Sequence, residues 1–553
     1  MKKITLKKSD ILSGGINAIR QAVDGCPDEC VISIEKGDYF FGFADTKPAY
    51  YPISNTFCKE TRDTFFQIKD LSNVEIDFCG SNLVFSGWSM PFAVTGGKNV
   101  TLKNFTIDYS IPSNAEGEVV SVEIDRFRVK LDPESFPFFI ENGNLFFRDE
   151  FYTSKCWSIF EFERDSLCVR GENAEKYRNT EFFYTDRPDI IEVKSTPDVM
   201  PKIGNIFVFR HGDRTHCGIF AQNSEELTFE NISIYNSCGI AVVCQFCDTL
   251  KFRNVSVIPN LNKNRKVLSS HDDGIQISNC RGLVTVDGCR FTGLMDDAIN
   301  IHGTSTLVEK AEGKTIFGRF AEGCSTGFDH FAKSGDTIGF IERSTLNTLF
   351  KNTAVSYRLT DRDHFEITLE NEPEVNSDTP LALENLTNNP EVIVKNCLFD
   401  MGRARGLLIG TNKRAVIKGN IFNTSGSAIL SSGDANGWFE SGSCRDITIT
   451  DNYFSENCLS GEYQFGEAII SFYPVVDDKK RCNGFHSNVK IENNKFVTHN
   501  KTIGYFTCTN DIKITDNTII QSTRSSGKLP CLFVYDTCNS ITEENNSIYG
   551  PNE

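Results

Sequence analysis

A strand-like run of alternating apolar and polar residues recurs along most of this chain. Copies start at VTLKNFTI (residue 100), LTFENISI (227), LKFRNVSV (250), VTVDGCRF (284), VIVKNCLF (392), AVIKGNIF (415), ITITDNYF (447), VKIENNKF (489) and IKITDNTI (512). A period of two sends every second side chain to one face. A second, shorter strand follows many copies: GIFAQ at 218, GIAVV at 239, GIQIS at 274, AINIH at 298, GLLIG at 406, AILSS at 428 and AIISF at 468. Two or three short strands per repeat, stacked in register about 4.8 Å apart, build a parallel solenoid. The pattern therefore predicts an all-β chain, a right-handed parallel β-helix, since parallel crossovers take that hand.

An asparagine ends most copies of the first strand: Asn104, Asn231, Asn254, Asn396, Asn420, Asn452, Asn494 and Asn517. Asparagine tolerates the left-handed backbone of a turn and can bond its counterpart on the next coil, so these residues predict a structural ladder inside the solenoid. Two stretches lack the repeat, 115–205 and 305–388, and read as alternating hairpins. They predict two inserted small β-barrel-like modules. The organisation is then a cap and first coils over 1–114, a module over 115–205, central coils over 206–304, a second module over 305–388, and final coils over 389–553. GINAIRQAVDGC at 15–26 has the spacing of a short amphipathic helix that covers the open end.

Composition narrows the partners. A formal charge of −17 argues against nucleic acid and disfavours a polyanionic substrate. No apolar run is long enough for a membrane span, and the start, MKKITLKKSDILSGG, lacks the apolar core of a secretory signal, so a cytoplasmic protein is expected. A homo-oligomer stays open. In that compartment the 20 cysteines are expected to be reduced, and Cys280, Cys289, Cys397 and Cys444 fall where a small buried hydrophobe fits a coil. Cys244-Gln-Phe-Cys247 is a lone pair without zinc-finger partners, which favours packing over metal or redox work.

Chemistry concentrates in two segments, His271-Asp272-Asp273-Gly-Ile-Gln-Ile and Met295-Asp296-Asp297-Ala-Ile-Asn300-Ile-His302, which repeat one pattern 24 residues apart. One coil of separation stacks four carboxylates. Crowded carboxylates split into protonated and ionised members, the division that a general acid and a general base require. Asp273 and Asp296, offset by a coil and a residue, should lie roughly 6 Å apart at Cα, from strand spacing and rise. Paired aspartates at corners can also make turns or bind calcium. Two copies in register with His271 and His302 beside them favour catalysis. Asn300 and His302 point outward next to the aspartates, and Arg403 and Arg405 occupy the equivalent corner before GLLIG. Asp434-Ala-Asn-Gly-Trp438-Phe-Glu440 is a long loop holding one of three tryptophans, and both its aromatic face and its carboxylates suit a sugar.

An aspartate before glycine and an Asp-Asp pair one coil later resemble polygalacturonases, inverting β-helix hydrolases. The likeness is local. A wider resemblance, over most of the chain, is to glycoside hydrolase family 110, the exo-acting α-1,3-galactosidases. It rests on Tyr51-Pro-Ile-Ser-Asn55, TLKNFTIDYSIP at 101–112, MDDAINIHGT at 295–304, Arg403-Ala-Arg405-Gly406 and NGWFESG at 436–442. The resemblance implies inverting hydrolysis of terminal α-galactose from oligosaccharides, without a metal or other cofactor. It makes Asp296 the general acid and Asp273 with Asp297 the base pair. Asp272, His271, Asn300, His302, Arg403, Arg405, Asp434, Trp438 and Glu440 are the candidate substrate-binding residues. The residues alone leave two other readings open: a different β-helix carbohydrate enzyme, such as a calcium-dependent lyase, and a non-catalytic glycan-binding solenoid.

Overall fold

The computed structural model describes residues 2–59, 61–170, 177, 180–195, 200–375, 379–461, 463, 466–524 and 531–550. Two columns of parallel strands run along the molecule. The first stacks Cys30–Ile34, Ser72–Phe85, Lys98–Tyr109, Glu225–Ile234 and Asp248–Val257, then continues from Arg281–Asp287 to Asn539–Glu544. The second stacks the shorter strands: Met90–Thr95, Ile219–Gln222, Val242–Gln245, Ile275–Ser278, Ile299–Glu312, Leu407–Ile409, Ile429–Ser431, Ile470–Phe472, Gly504–Thr507 and Phe533–Asp536. Their alternate residues meet in one continuous core, where Ile275, Ile277, Ile299, Ile301, Leu407 and Ile409 are fully buried. This is a parallel β-helix, and the short-strand periodicity is what predicts it.

The asparagines do not form one internal ladder. Asn104, Asn231, Asn254 and Asn396 take left-handed backbone at exposed or half-buried corners and bond outward neighbours, such as Asn254 Nδ2 to Asn231 Oδ1 at 3.1 Å. In the later coils the left-handed position passes to Gly419, Asp451, Asn493 and Asp516. The residue after it, Asn420, Asn452, Asn494 or Asn517, then turns inside, where Asn452 Nδ2 donates to Asn494 Oδ1 at 3.0 Å and to the Ile417 carbonyl at 2.9 Å. Cys289 and Cys397 occupy the same inner position on the preceding coils, and all 20 cysteines carry free thiols. Beside this column Phe399, Phe422, Phe454 and Phe496 stack with centroids 4.6, 5.0 and 4.5 Å apart.

Two modules interrupt the coils. The first is an eight-stranded antiparallel sheet from Asn114–Val122 to Ile206–His211, packed on its own core around Phe127, Phe147, Phe207 and Phe209. Its edges approach one another, the Phe182 amide donating to the Gly143 carbonyl at 2.9 Å, so the sheet curls like a barrel. The second is a closed six-stranded antiparallel barrel. Its first strand is the outer part of Ile299–Glu312, and Leu381–Asn385 pairs back onto that strand to close it. A coil strand thus becomes a barrel strand with no linker between. At the N-terminus the helix Ile16–Asp24 buries Ile16, Ile19, Ala22 and Val23 against the first coil.

Candidate active site

Register places the chemistry. Ile275 pairs with Ile299 and Ile299 with Leu407, so Asp273, Asp297 and Arg405, each two residues earlier, share one corner column on three successive coils. Cys217 and Ile240 hold that position on the two coils before, and Ser427 on the coil after. Arg405 binds Asp297 Oδ1 through Nε at 2.7 Å and through its backbone amide at 3.2 Å. Asp296, one position earlier, accepts from Tyr463 hydroxyl at 2.6 Å on Oδ1 and from Arg214 at 2.8 Å on Oδ2. Asp273, Asp296 and Asp297 line one pocket together with Asn300, His302, Arg405, Trp438 and Glu440.

The three carboxylates differ in charge. Burial pushes Asp273 well above the usual carboxylate range, and the neighbouring charge of Asp296 adds to it, more than Arg214 offsets. Burial also raises Asp297, to about 6, although Arg405 pulls the other way. Burial would raise Asp296 as well, but Arg214 and Arg403 outweigh it and hold that carboxyl below its ordinary value. The free protein therefore carries an ionised Asp296 beside Asp273, whose carboxyl favours its protonated form, while Asp297 gives up its proton as pH rises through about 6.

The remaining candidates separate into two groups. Asn300 Nδ2 donates to Glu440 Oε1 at 3.3 Å, leaving its buried Oδ1 without a protein partner at the pocket. Glu440 Oε1 also accepts from Asn55 Nδ2 at 2.5 Å. His302 is fixed on both sides, bonding the Gly303 carbonyl through Nδ1 at 2.7 Å and Gln276 through Nε2 at 3.1 Å. Asp434 reaches the pocket, yet its oxygens hold the loop, accepting from the amides of Asn436 at 2.7 Å and Trp438 at 2.5 Å. Trp438 is half exposed at the rim.

Three candidates lie outside this pocket, and two of them, His271 and Asp272, border an adjoining cavity instead. His271 is buried, with Nδ1 against Asp272 at 2.6 Å and Nε2 against the His211 carbonyl at 3.0 Å. Asp272 accepts from Arg210 at 2.6 Å and Arg214 at 3.1 Å; burial would raise it, but Arg214, His271 and Arg210 hold it well below the carboxylate range. That carboxylate anchors the guanidinium which in turn holds Asp296. Arg403 turns away to the Met295 carbonyl at 2.7 Å, its guanidinium within 4.4 Å of the Phe160 ring centroid and 4.9 Å of the Tyr463 ring centroid.

Sequence reasoning missed Arg214 and Tyr463. Arg214 stands four residues before GIFAQ, at the same kind of corner as the aspartates, and that spacing was the available signal. Tyr463 belongs to an irregular segment between coils and gives none.

Comparison with known proteins gives this geometry a family. The chain is 32% identical over 562 residues to alpha-1,3-galactosidase B of Bacteroides thetaiotaomicron, covering 98% of this chain and 90% of that protein. The chain belongs to the alpha-1,3-galactosidase family. It is a glycosidase. A relative of the same name in Parabacteroides distasonis is 28% identical over 91% of this chain and 85% of its own length. Another in Akkermansia muciniphila is 29% identical over 98% of this chain and 67% of its own length. Residues 115–207 match the family described as GLAA-B beta-barrel domain I, which spans the curled first module. Residues 259–472 match the family described as periplasmic copper-binding protein NosD, a likeness over the aspartate-bearing coils and the closed barrel. Among the described residues no group of three or more His, Cys, Asp or Glu side chains is arranged to hold a metal ion.

Proposed function

We propose that this chain removes terminal α-1,3-linked galactose from glycans by single-displacement hydrolysis, with inversion at the anomeric carbon. The observation that carries the reading is the pocket holding Asp273, Asp296 and Asp297, in which Asp296 is kept ionised, Asp273 favours its protonated form and Asp297 titrates between them at about 6. Inverting hydrolysis needs one carboxylic acid to protonate the departing oxygen and a carboxylate to draw a proton from water on the opposite face. Exo action is supported by the walls: Asn55, Asn300 and Glu440 are hydrogen-bonded across one side, which suits a chain end better than a chain passing through.

The family resemblance assigns Asp296 as acid and Asp273 with Asp297 as the groups on water. In the free protein the proton is elsewhere, so this assignment requires it to pass from Asp273 to Asp296 when the glycan is seated. Interacting carboxyls share protons as a set, which permits such a transfer. One observation favours the converse assignment, with Asp273 as acid. Among the described residues its carboxyl has no hydrogen-bond partner, whereas both oxygens of Asp296 accept one from Tyr463 or Arg214.

Proton NMR of the protein with Gal-α-1,3-Gal tests the function. Initial release of β-galactose is expected; α-galactose as first product overturns inversion, and no galactose overturns the substrate. Leaving-group dependence separates the roles. If Asp296 is the acid, Asp296→Asn loses natural glycans but keeps aryl galactosides with good leaving groups, while Asp273→Asn loses both. The reverse pattern makes Asp273 the acid.

A further inference from the structure

The pocket is not alone. A second cavity adjoins it and shares Asn55, Arg214 and Trp438 with it. All three tryptophans of the chain, Trp88, Trp157 and Trp438, line this one cavity. The early coils supply Asn55, Phe57 and Trp88, the central coils His271 and Asp272, and three further parts of the fold contribute. Trp157 comes from the curled first module, Glu322 and Cys324 from the segment inside the closed barrel, and Trp438 from the loop after Ile429–Ser431.

The two outer tryptophans are built as platforms. Trp157 leaves about half its surface exposed, at 54%. Its indole N–H donates to the Gly212 carbonyl at 3.0 Å, and the Arg210 guanidinium lies 4.6 Å from its ring centroid. Arg210 is itself buried and ion-paired to Asp272 at 2.6 Å, so the ring is held on a fixed cation. Trp438 is 49% exposed, on a loop pinned by the Asp434 carboxylate. An exposed indole beside a solvated groove loses free energy to water unless a ligand covers it, and monomeric surfaces seldom hold such rings in one place. The C–H face of a pyranose is apolar and flat enough to cover one, while its hydroxyls remain for Ser154, Lys155, Asp213 and Glu322, which also border the cavity. Both signs of charge occur among these residues, which fits a neutral glycan.

We propose that this cavity is the aglycone site of the enzyme. It holds the sugars on the far side of the scissile bond, Trp438 against the first and Trp157 against a later one. The substrate class is then a neutral oligosaccharide of three or more residues, and the two inserted modules exist in part to frame this site. The proposal rests on the galactosidase reading only for which side of the cleaved bond the cavity receives.

Binding can be tested without turnover. A linear neutral tetrasaccharide ending in β-galactose, which has no α-galactose to lose, is titrated into the intact protein while tryptophan emission is followed. Because every tryptophan borders the cavity, a saturable change is expected, and Trp157→Ala should weaken binding at least tenfold, with Trp157→Phe restoring much of it. A flat titration up to millimolar sugar overturns the proposal. The kinetic counterpart compares kcat/KM for an α-1,3-galactosylated tetrasaccharide with that for Gal-α-1,3-Gal. Trp157→Ala should lower the ratio of the two about tenfold; an equal fall on both makes Trp157 a packing residue and overturns its assigned role. If the parent protein cleaves neither glycan, the galactosidase reading fails while the titration still decides the cavity.

Discussion

Asp273 has a cost in the folded protein that its function explains. Its carboxyl is buried, has no hydrogen-bond partner among the described residues and faces Asp296, so the folded state favours its protonated form. A carboxyl raised on folding supplies stability that is complete below its unfolded pKa and lost as pH rises through the folded one. Asp273→Asn, which carries no titrating proton, should therefore raise the melting temperature at neutral and alkaline pH, with the gain shrinking towards pH 4. A melting series across pH checks this, and a gain that grew on acidification would contradict it. Sites of this kind keep a strained charge where a neutral residue would be more stable. Much at this scale can be read from the sequence, because a 24-residue spacing puts Asp273 and Asp297 in one column before any coordinates are known. The partners that set their charge cannot. Arg214 arrives from the end of an inserted module, and His271, Asp272 and Arg403 carry the same residue types as binding groups while their side chains turn into protein.

The asparagine ladders show where a repeat pattern reaches its limit. Alternation predicts the strands, and the stacked register follows from it. It does not say that the asparagine shifts by one residue against the left-handed position, which keeps one column from the early coils to the late ones, because Asn serves both the exposed turn and the inner column. The signal lies in the neighbours: Asn104, Asn231 and Asn254 are followed at once by an inward apolar residue, Phe105, Ile232 and Val255. In the late coils Gly419, Asp451, Asn493 or Asp516 comes first. The two ladders should differ in worth. Asn452→Ala strips partners from the Asn420 amide and side chain, both at 2.9 Å, and from the buried Ile417 carbonyl, a loss of about 2–4 kcal/mol for unsatisfied buried groups. Asn254→Gly keeps the backbone conformation at an exposed corner and should cost under about 1 kcal/mol. Urea unfolding of both variants measures the difference, and equal losses would mean that the inner column is not the stronger one.

At the scale of the molecule, the closed barrel reaches back to the catalytic pocket. Ser325 in the barrel segment donates to Asn55 Oδ1 at 2.8 Å and accepts from the Asn55 amide at 3.1 Å, and Asn55 in turn holds Glu440. Ser325→Ala leaves the buried Asn55 amide and Oδ1 unpaired and should cost about 1–3 kcal/mol of stability, and it should raise KM about tenfold, the equivalent of one such bond to a positioned group. Steady-state kinetics with a melting curve on the same sample checks both halves. That the non-repeating stretches form sheets of their own follows from their alternation. Barrel closure does not, since it depends on pairing Ile299–Glu312 with Leu381–Asn385 across a long sequence gap. The strand carrying Asn300 and His302 on the pocket floor runs without a break into the barrel wall. Floor and wall are thus one continuous strand, paired to neighbours on both edges, so a swing of this wall would have to bend the floor with it. A bulky group attached to the terminal sugar ring should therefore not be admitted by a movement of this wall. Discrimination against such branched ends should consequently be all or none, with another enzyme needed to trim the branch first.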